Sequence, residues 1–499
     1  MNAALAARAT GVLRDFNAAG VLAPADVHVA QRLSAIAGEE DEQVALAAAL
    51  AVRGPRLGHV YVDLATVRET ATVDVEEPVD LAALPWPEPA AWLERVAASA
   101  LVAQGEAGGR DRPLRLVGSA LYLDRYWREE RQVARELLAL GDRLEVIAGG
   151  PGTGKTTLVA RNLARMLKEG ADPALVALAA PTGKAAARLT EAVHEQARRL
   201  DVPGLLGVEA STLHRLLGWR PGTHSRFRHD RANRLPHDVV IVDETSMVSL
   251  SLMARLVEAV RPDARLIVVG DPGQLTSIEA GAVLGDIVAA REGIVRLERV
   301  HRFGGAIAKV AEAIRSGDGD ATVAALADVT WTTDAEGVRA GAVACFRAVA
   351  DAALAGDAAR ALAALGGFRI LCAHRRGHHG VTGWTARVER WLAQAGLAAD
   401  GEWYPGRPLL VTENDYGLGL YNGDTGVVVA AGDGRLSAAF ERGRFSPARL
   451  GAVDTVYAMT VHKSQGSQFD TAAVLLPDAD SPILTRELLY TAVTRAAAS

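Results

Sequence analysis

A chain of 499 residues is too long for one ordinary core, so two to four domains are expected. It is 49% hydrophobic and 23% charged, as globular proteins are, and its two cysteines, Cys345 and Cys372, lie far apart and outside any CxxC spacing; a disulfide framework and a cysteine zinc site are excluded, which suits a reducing cytoplasm. A net charge of −6 argues against wholesale coating of nucleic acid while leaving room for a local basic channel.

The N-terminus, "MNAALAARATGVLRDFNAAG", carries Arg8, Arg14 and Asp15 and lacks the unbroken apolar core of a secretory signal. No run reaches the roughly eighteen apolar residues of a membrane span, so no membrane association is expected. Residues 1–112 are alanine-rich with helical spacing, and the acidic run "EEDEQ" (39–43) reads as a solvated face. "EAGGRDRP" (106–113) has the Gly, charge and Pro of a domain linker. Beyond it, short apolar runs ("LEVIAG", "ALVALAAP", "DVVIVDE", "RLIVVGD") alternate with helical stretches, the texture of a parallel α/β sheet covered on both faces.

In "AGGPGTGKTT", Gly149, Gly150, Pro151, Gly152, Thr153, Gly154, Lys155, Thr156 and Thr157 follow an expected strand and open an expected helix. That is the setting of a phosphate-binding loop: backbone N–H groups close around the phosphates, Lys155 reaches the β and γ phosphates of ATP, and Thr156 offers a hydroxyl to Mg²⁺. In "VVIVDETS", Asp243 ends an apolar strand as a second magnesium anchor and Glu244 is placed as general base for the attacking water. Gln274, three residues beyond Asp271 in "VVGDPGQL", offers a neutral amide to the γ-phosphate; the same motif also reads as a plain Gly-Asp-Pro turn. Arg302 in "VHRF" and Arg495 in "TAVTRA" are candidate fingers for transition-state charge or, alternatively, surface salt-bridge formers.

Three segments exceed what a generic ATPase needs: "APTGKAAARL", "ASTLHRLLG" and "MTVHKSQGSQFD". Their hydroxyls, amides and cations at expected strand ends and helix starts suit a grip on sugar-phosphate without base reading. Between the second of these and the Asp243 strand, the basic "WRPGTHSRFRHDRANR" offers Trp219 and Phe227 as a stacking or strand-separating hairpin; the alternative is an exposed basic loop with a core Trp. Residues 379–451, with turn pairs Asn422-Gly423 and Asp433-Gly434, read as a small inserted antiparallel β domain. His374, His378 and His379 have no Asp, Glu or Cys at ligand spacing and read as surface or DNA-facing residues rather than a metal site.

In order, "GGPGTGKTT", "APTGKAAARL", "STLHRLLG", "VIVDETSM", "GDPGQL", "VHRF", "ILCAHRRGHHGV", "NDYGLGLYNGDTGVV", "TVHKSQGSQFD" and "LLYTAVTRA" resemble the motif set of superfamily 1 helicases, and more narrowly the RecD family, the alpha subunits of exodeoxyribonuclease V. "GHVYVDL" (58–64) is loosely similar to part of that family's N-terminal docking domain. The resemblance implies an α/β protein with two RecA-like parallel-sheet domains (113–300, and 301–378 with 452–499), an N-terminal partner-docking domain (1–112) and the β insertion. It implies an ATP- and Mg²⁺-dependent motor that moves 5′ to 3′ on single-stranded DNA, acts at duplex ends in recombinational repair, and works with RecB-like and RecC-like subunits. Thr182, Lys184, Ser211, Thr212 and His214 would line the DNA path on the first domain, and Thr460, His462, Lys463, Ser464 and Gln465 on the second. Gln132 stands where such helicases keep an adenine-reading glutamine; its other reading is an exposed helix residue.

The chain departs from the family at Gln468, commonly Glu, at Thr276, usually Pro, and after "TRA", where a basic turn and further strand are expected but "AAAS" follows. No cluster of acidic residues with a lysine suggests a nuclease, so strand cleavage is expected of a partner. Two alternatives stay open: a stand-alone RecD-like helicase, and a nucleotide-gated interaction subunit that moves no strand.

Overall fold

A computed structural model of the chain describes residues 5–7, 9–73, 79–219, 227–277, 279–297, 305–332, 334–397, 401–415, 417–431, 434–476, 481 and 483–498. Arg302 lies outside the described residues, as do residues 220–226 between Trp219 and Phe227, and Asp433.

The N-terminal unit is not purely helical. Helices Gly11–Ala18, Pro24–Ala37, Glu42–Arg56 and Pro89–Ala98 pack on a four-stranded sheet ordered Tyr61–Asp63, Ala120–Leu123, Leu114–Val117, Val102–Gln104. Leu114, Leu116 and Leu121 of the hairpin enter the same core as Phe16, Leu46, Leu50 and Trp92. The unit therefore continues past the boundary expected at residue 112, because an antiparallel hairpin needs both strands on one sheet. The expected linker is pinned: Arg115, 1% exposed, donates to Asp124 Oδ1 at 2.7 Å, Gly105 O at 2.7 Å, Gly108 O at 3.1 Å and Gly109 O at 3.0 Å. Nor is "EEDEQ" merely solvated. Asp41 caps the helix Glu42–Arg56 through Gln43 N at 2.8 Å, and Glu39 accepts the Ser99 hydroxyl at 2.6 Å.

The first α/β unit is a six-stranded, all-parallel sheet ordered 295–297, 144–149, 265–270, 239–242, 176–180, 210–212. Alternate strand residues feed opposite cores. Val146, Val240, Val242, Leu266 and Val268 meet helices Asp124–Leu140 and Leu250–Ala259, whereas Ile147, Leu178, Ile241, Ile267 and Val269 meet helices Lys155–Lys168 and Gly183–Leu200. Burial on both faces is why these strands read as unbroken apolar runs.

The second α/β unit has a three-stranded parallel sheet ordered 458–460, 368–372, 471–475. Helix Val381–Gln394 packs Trp384, Val388 and Trp391 against Ile370 and Cys372, so it belongs to this core and not to the insertion expected from residue 379. The insertion is a five-stranded antiparallel sheet ordered 443–445, 436–440, 425–430, 408–411, 453–455, whose last strand lies beyond the expected end at 451. Among the described residues no helix is long and apolar enough to cross a membrane.

Arg115→Ala would leave Asp124 buried without its deepest partner, a loss of about 3–5 kcal/mol for a broken buried pair. We expect subtilisin to cut the variant within residues 105–113 under conditions where the unaltered chain resists; equal resistance would mean that the guanidinium does not hold this segment.

Candidate nucleotide and DNA site

Strand Leu144–Gly149 ends in a loop that delivers Lys155 at the first turn of helix Lys155–Lys168. Gly152 and Gly154 take φ of 76° and 84°, backbone that favours glycine, and this curls the loop's N–H groups inward. Pro151 is buried and Thr153 closes the loop by donating its hydroxyl to Gly150 O at 2.9 Å; Thr157 is half-buried in the first helical turn. Lys155 Nζ donates to Gly149 O at 2.5 Å and Gly150 O at 2.8 Å. The ammonium rests on its own loop, in reach of any phosphate the loop would cradle.

Asp243 lies beside that loop at the end of strand Val239–Val242. Thr156 Oγ1 donates to Asp243 Oδ2 at 3.2 Å, and Glu244 N donates to Oδ1 at 2.8 Å. Burial, then the neighbouring Glu244 charge, raises the Asp243 carboxyl to about 6. A hydroxyl and a carboxylate side by side, both hard oxygen donors, fit a magnesium ion that keeps several waters. Glu244 is half-buried and has φ of 52°, the left-handed region seldom used by side-chain-bearing residues.

Asp271 ends strand Arg265–Gly270 and is 2% exposed; burial raises its carboxyl too. Its Oδ1 accepts Gly273 N at 3.0 Å, and its Oδ2 accepts Gln274 Nε2 at 3.1 Å. The next residue crosses into the second unit. Leu275 buries its side chain among Leu371, Val456, Met459, Phe469 and Leu488 of the second unit, donates its N–H to Thr491 Oγ1 at 2.9 Å and accepts Gln465 Nε2 on its carbonyl at 2.9 Å. Arg495 is buried on second-unit acceptors, including Thr491 O at 3.1 Å and Ser467 O at 3.3 Å.

The expected DNA-path residues divide. Thr182 and Thr212 cap helices Gly183–Leu200 and Leu213–Leu216, their hydroxyls accepting Ala185 N and Arg215 N. Ser211 is half-buried, and His214 is exposed with its ring 5.9 Å from Phe227. Thr460 accepts Lys463 N at 3.2 Å, and His462 and Lys463 are half-buried. Three others are engaged inside the protein. Ser464 is fully buried and donates to Val461 O at 2.7 Å, Gln465 is spent on Leu275, and Lys184 donates to Ser467 Oγ at 2.9 Å and Gly423 O at 3.4 Å. Burial lowers the Lys184 ammonium to about 8. Beside it Arg188 donates to Gly466 O, and Gly183 lies against the Tyr421 ring so closely that a Cβ would sit 2.4 Å from it.

Gln132 is engaged within the first unit. Its amide donates to Ala254 O at 3.0 Å and Glu258 Oε2 at 3.1 Å, on the seam between two helices of the first unit. Of the aromatic pair, Trp219 is 44% exposed while Phe227 packs on the first-unit core, so the anticipated core Trp is in fact the Phe. His374 bonds Ser481 Oγ at 3.1 Å and His378 meets Arg387 at 3.0 Å. Spacing missed Tyr490, Thr491 and Ser467, whose bonds to Asp271, Leu275 and Lys184 join residues more than 200 positions apart across the domain seam. Their one signal was membership in the quoted "LLYTAVTRA" and "TVHKSQGSQFD" segments.

Leu275→Ala would empty a pocket in the partner unit's core at a cost of about 2–5 kcal/mol. We expect calorimetry to show separate melting of the two α/β units where the unaltered chain shows a joint transition; an unsplit, unshifted transition would mean that Leu275 does not join them.

Three family models match successive parts of the chain: "RecBCD enzyme subunit RecD, N-terminal domain" over residues 18–122, "AAA domain" over 125–337 and "UvrD-like helicase C-terminal domain" over 455–499. The chain is 51% identical to the RecBCD enzyme subunit RecD of Mycolicibacterium smegmatis, over 96% of this chain and 92% of that one. It is 50% identical to its namesake in Mycobacterium tuberculosis, over 98% and 92%, and 35% identical to the ATP-dependent RecD2 DNA helicase of Deinococcus radiodurans, over 74% and 48%. Among solved structures, the Pif1 helicase from Candida albicans aligns with a TM-score of 0.41 at 14% identity, over 74% of this chain and 92% of that one. With half of its residues shared along nearly the whole length of the first two relatives, the chain belongs to the RecD family of RecBCD enzyme subunits.

Proposed function

We propose that the chain is the ATP-driven helicase subunit of a RecBCD-type complex, moving 5′ to 3′ along single-stranded DNA and helping to open duplex ends in recombinational repair. RecB-like and RecC-like chains are its partners, the N-terminal unit is its docking surface, the cytoplasm is its compartment, and strand cleavage belongs to a partner. The carrying observation is the seam: Gln274, read here as the γ-phosphate sensor, is followed directly by Leu275, which is fastened to the second unit by its side chain and both peptide groups. A change at the phosphate is thereby delivered to a second body, as a translocating motor requires.

In this reading Lys155 leaves the carbonyls of Gly149 and Gly150 for the β and γ phosphates, and Thr156 and Asp243 hold Mg²⁺. The ion would neutralise charge on the phosphates as the terminal bond breaks. Glu244 accepts the proton of the attacking water, and Gln274 exchanges Asp271 for the γ-phosphate. Arg495 and Arg302 are the candidate cations of the second unit. The helix turns capped by Thr182 and Thr212, with His214, His462 and Lys463, hold the sugar-phosphate backbone; Lys184 fastens the insertion and the 464–467 loop to the first unit when no strand is present.

Lys155→Ala is expected to abolish hydrolysis. Glu244→Gln is expected to bind ATP while lowering turnover about 10²- to 10⁴-fold, as loss of a general base does; turnover near that of the unaltered chain would remove Glu244 from that role. Lys463→Ala is expected to weaken binding to oligo-dT and to reduce the slope of log K against log salt by about 0.7, the contribution of one phosphate contact on a single strand. An unchanged slope would take Lys463 off the DNA path. Strand-stimulated hydrolysis that survives Lys463→Ala combined with Thr182→Ala would favour a nucleotide-gated interaction subunit.

A further inference from the structure

Tyr490 belongs to helix Arg486–Val493 of the second unit, yet its hydroxyl works in the first. It donates to Asp271 Oδ2 at 3.2 Å, and a Cβ built on Gly150 of the phosphate loop would lie 2.9 Å from the same hydroxyl oxygen. The ring is 4% exposed, packed with Ile307, Val310, Ala311 and Ile314, and its edge faces Gly273, whose Cβ would stand 3.5 Å away. A single carboxylate oxygen thus serves two donors on opposite sides of the seam, since Gln274 Nε2 also donates to Asp271 Oδ2, at 3.1 Å. Burial raises both the Asp271 carboxyl and the Tyr490 phenol.

We propose that Tyr490 is a positioning residue of the ATPase cycle: its hydroxyl holds Asp271 while Gln274 is handed to the γ-phosphate, and ties that exchange to the helix that leads to Arg495. The inference rests on the ATPase reading above. A buried carboxylate that loses a donor is costly to leave uncompensated. With Tyr490 in place, Asp271 keeps a bond on Oδ2 when Gln274 departs, and Gly273 N keeps Oδ1. The hydroxyl also lies against the phosphate loop, where a Cβ on Gly150 would crowd it at 2.9 Å. Tyr490 touches neither the scissile bond nor the water; it acts through Asp271 and Gln274.

The test is a double-variant cycle on the full chain, with steady-state ATP hydrolysis read at saturating oligo-dT. Tyr490→Phe keeps the ring in its packing and removes the one bond; Asp271→Asn and the double variant complete the cycle. Tyr490→Phe is expected to lower strand-stimulated kcat about tenfold, with KM for ATP within about twofold, the pattern of an interaction used after substrate is bound. The double variant is expected to lose no more than Asp271→Asn alone, because the hydroxyl works through that carboxylate. An unchanged kcat, a pure rise in KM, or losses that multiply would overturn the role. The outcomes also separate the two readings: an unaltered chain that single-stranded DNA does not stimulate refutes the motor and this role with it, whereas a stimulated chain indifferent to Tyr490→Phe keeps the motor and refutes Tyr490 alone.

Discussion

Leu275 is the point on which the two α/β units turn. Its side chain lies in a core made by the second unit, its N–H is taken by Thr491 and its carbonyl by Gln465, so one first-unit residue is held by three kinds of contact at once. Burying a leucine is worth about 1.5–3 kcal/mol, and each neutral hydrogen bond adds about 0.5–1.5 kcal/mol net. The attachment is strong enough to transmit a displacement and weak enough for a nucleotide's differential affinity to move. Because Gln274 immediately precedes Leu275, the chain has no slack in which a shift at the phosphate could be absorbed.

Around this pin the site is electrostatically unfinished. Asp243 and Asp271 are both buried acids whose carboxyls are raised, and the nearby ammonium of Lys155 is parked on carbonyls. Mg²⁺ would favour the ionised Asp243 and phosphate would take over Lys155, whereas burying these charged groups costs stability, a common arrangement where a charged ligand is gripped. The left-handed backbone at Glu244 is a further small cost of the same kind.

What spacing revealed and what it missed follow from the range of the interactions. The phosphate loop, the Asp243-Glu244 pair and Asp271 with Gln274 could be singled out because each is a local pattern, an apolar strand and the turn just after it, although the three lie far apart in the chain. Thr182 and Thr212 were legible as hydroxyls at helix starts, where a cap is needed whatever else they do. Lys184, Ser464 and Gln465 carry equally polar side chains in equally suggestive segments, yet a fully buried serine or a glutamine bonded across the seam looks no different in sequence from one that waits for DNA. Gln132 matched a position by count and was claimed by a neighbouring helix. In the N-terminal unit, alanine spacing showed the helices but hid the sheet, whose strands are only three or four residues long and whose edge strand Tyr61–Asp63 meets Ala120–Leu123 about sixty positions on.

The same second-unit loop, residues 462–467, faces both functions. Gln465 holds Leu275 on the nucleotide side, while Ser467 takes Lys184 through its hydroxyl and Arg495 through its carbonyl. The contacts that fasten it to the first unit are polar and few, whereas its own unit anchors it through buried Val461 and Ser464. An interface of this kind separates by exchanging hydrogen bonds instead of exposing a core, so a strand that competes for Lys184 and a nucleotide that competes for Gln274 act on opposite ends of one short segment. If the loop moves as a body, each ligand changes the cost of the other's contact, and by linkage that effect is equal in both directions.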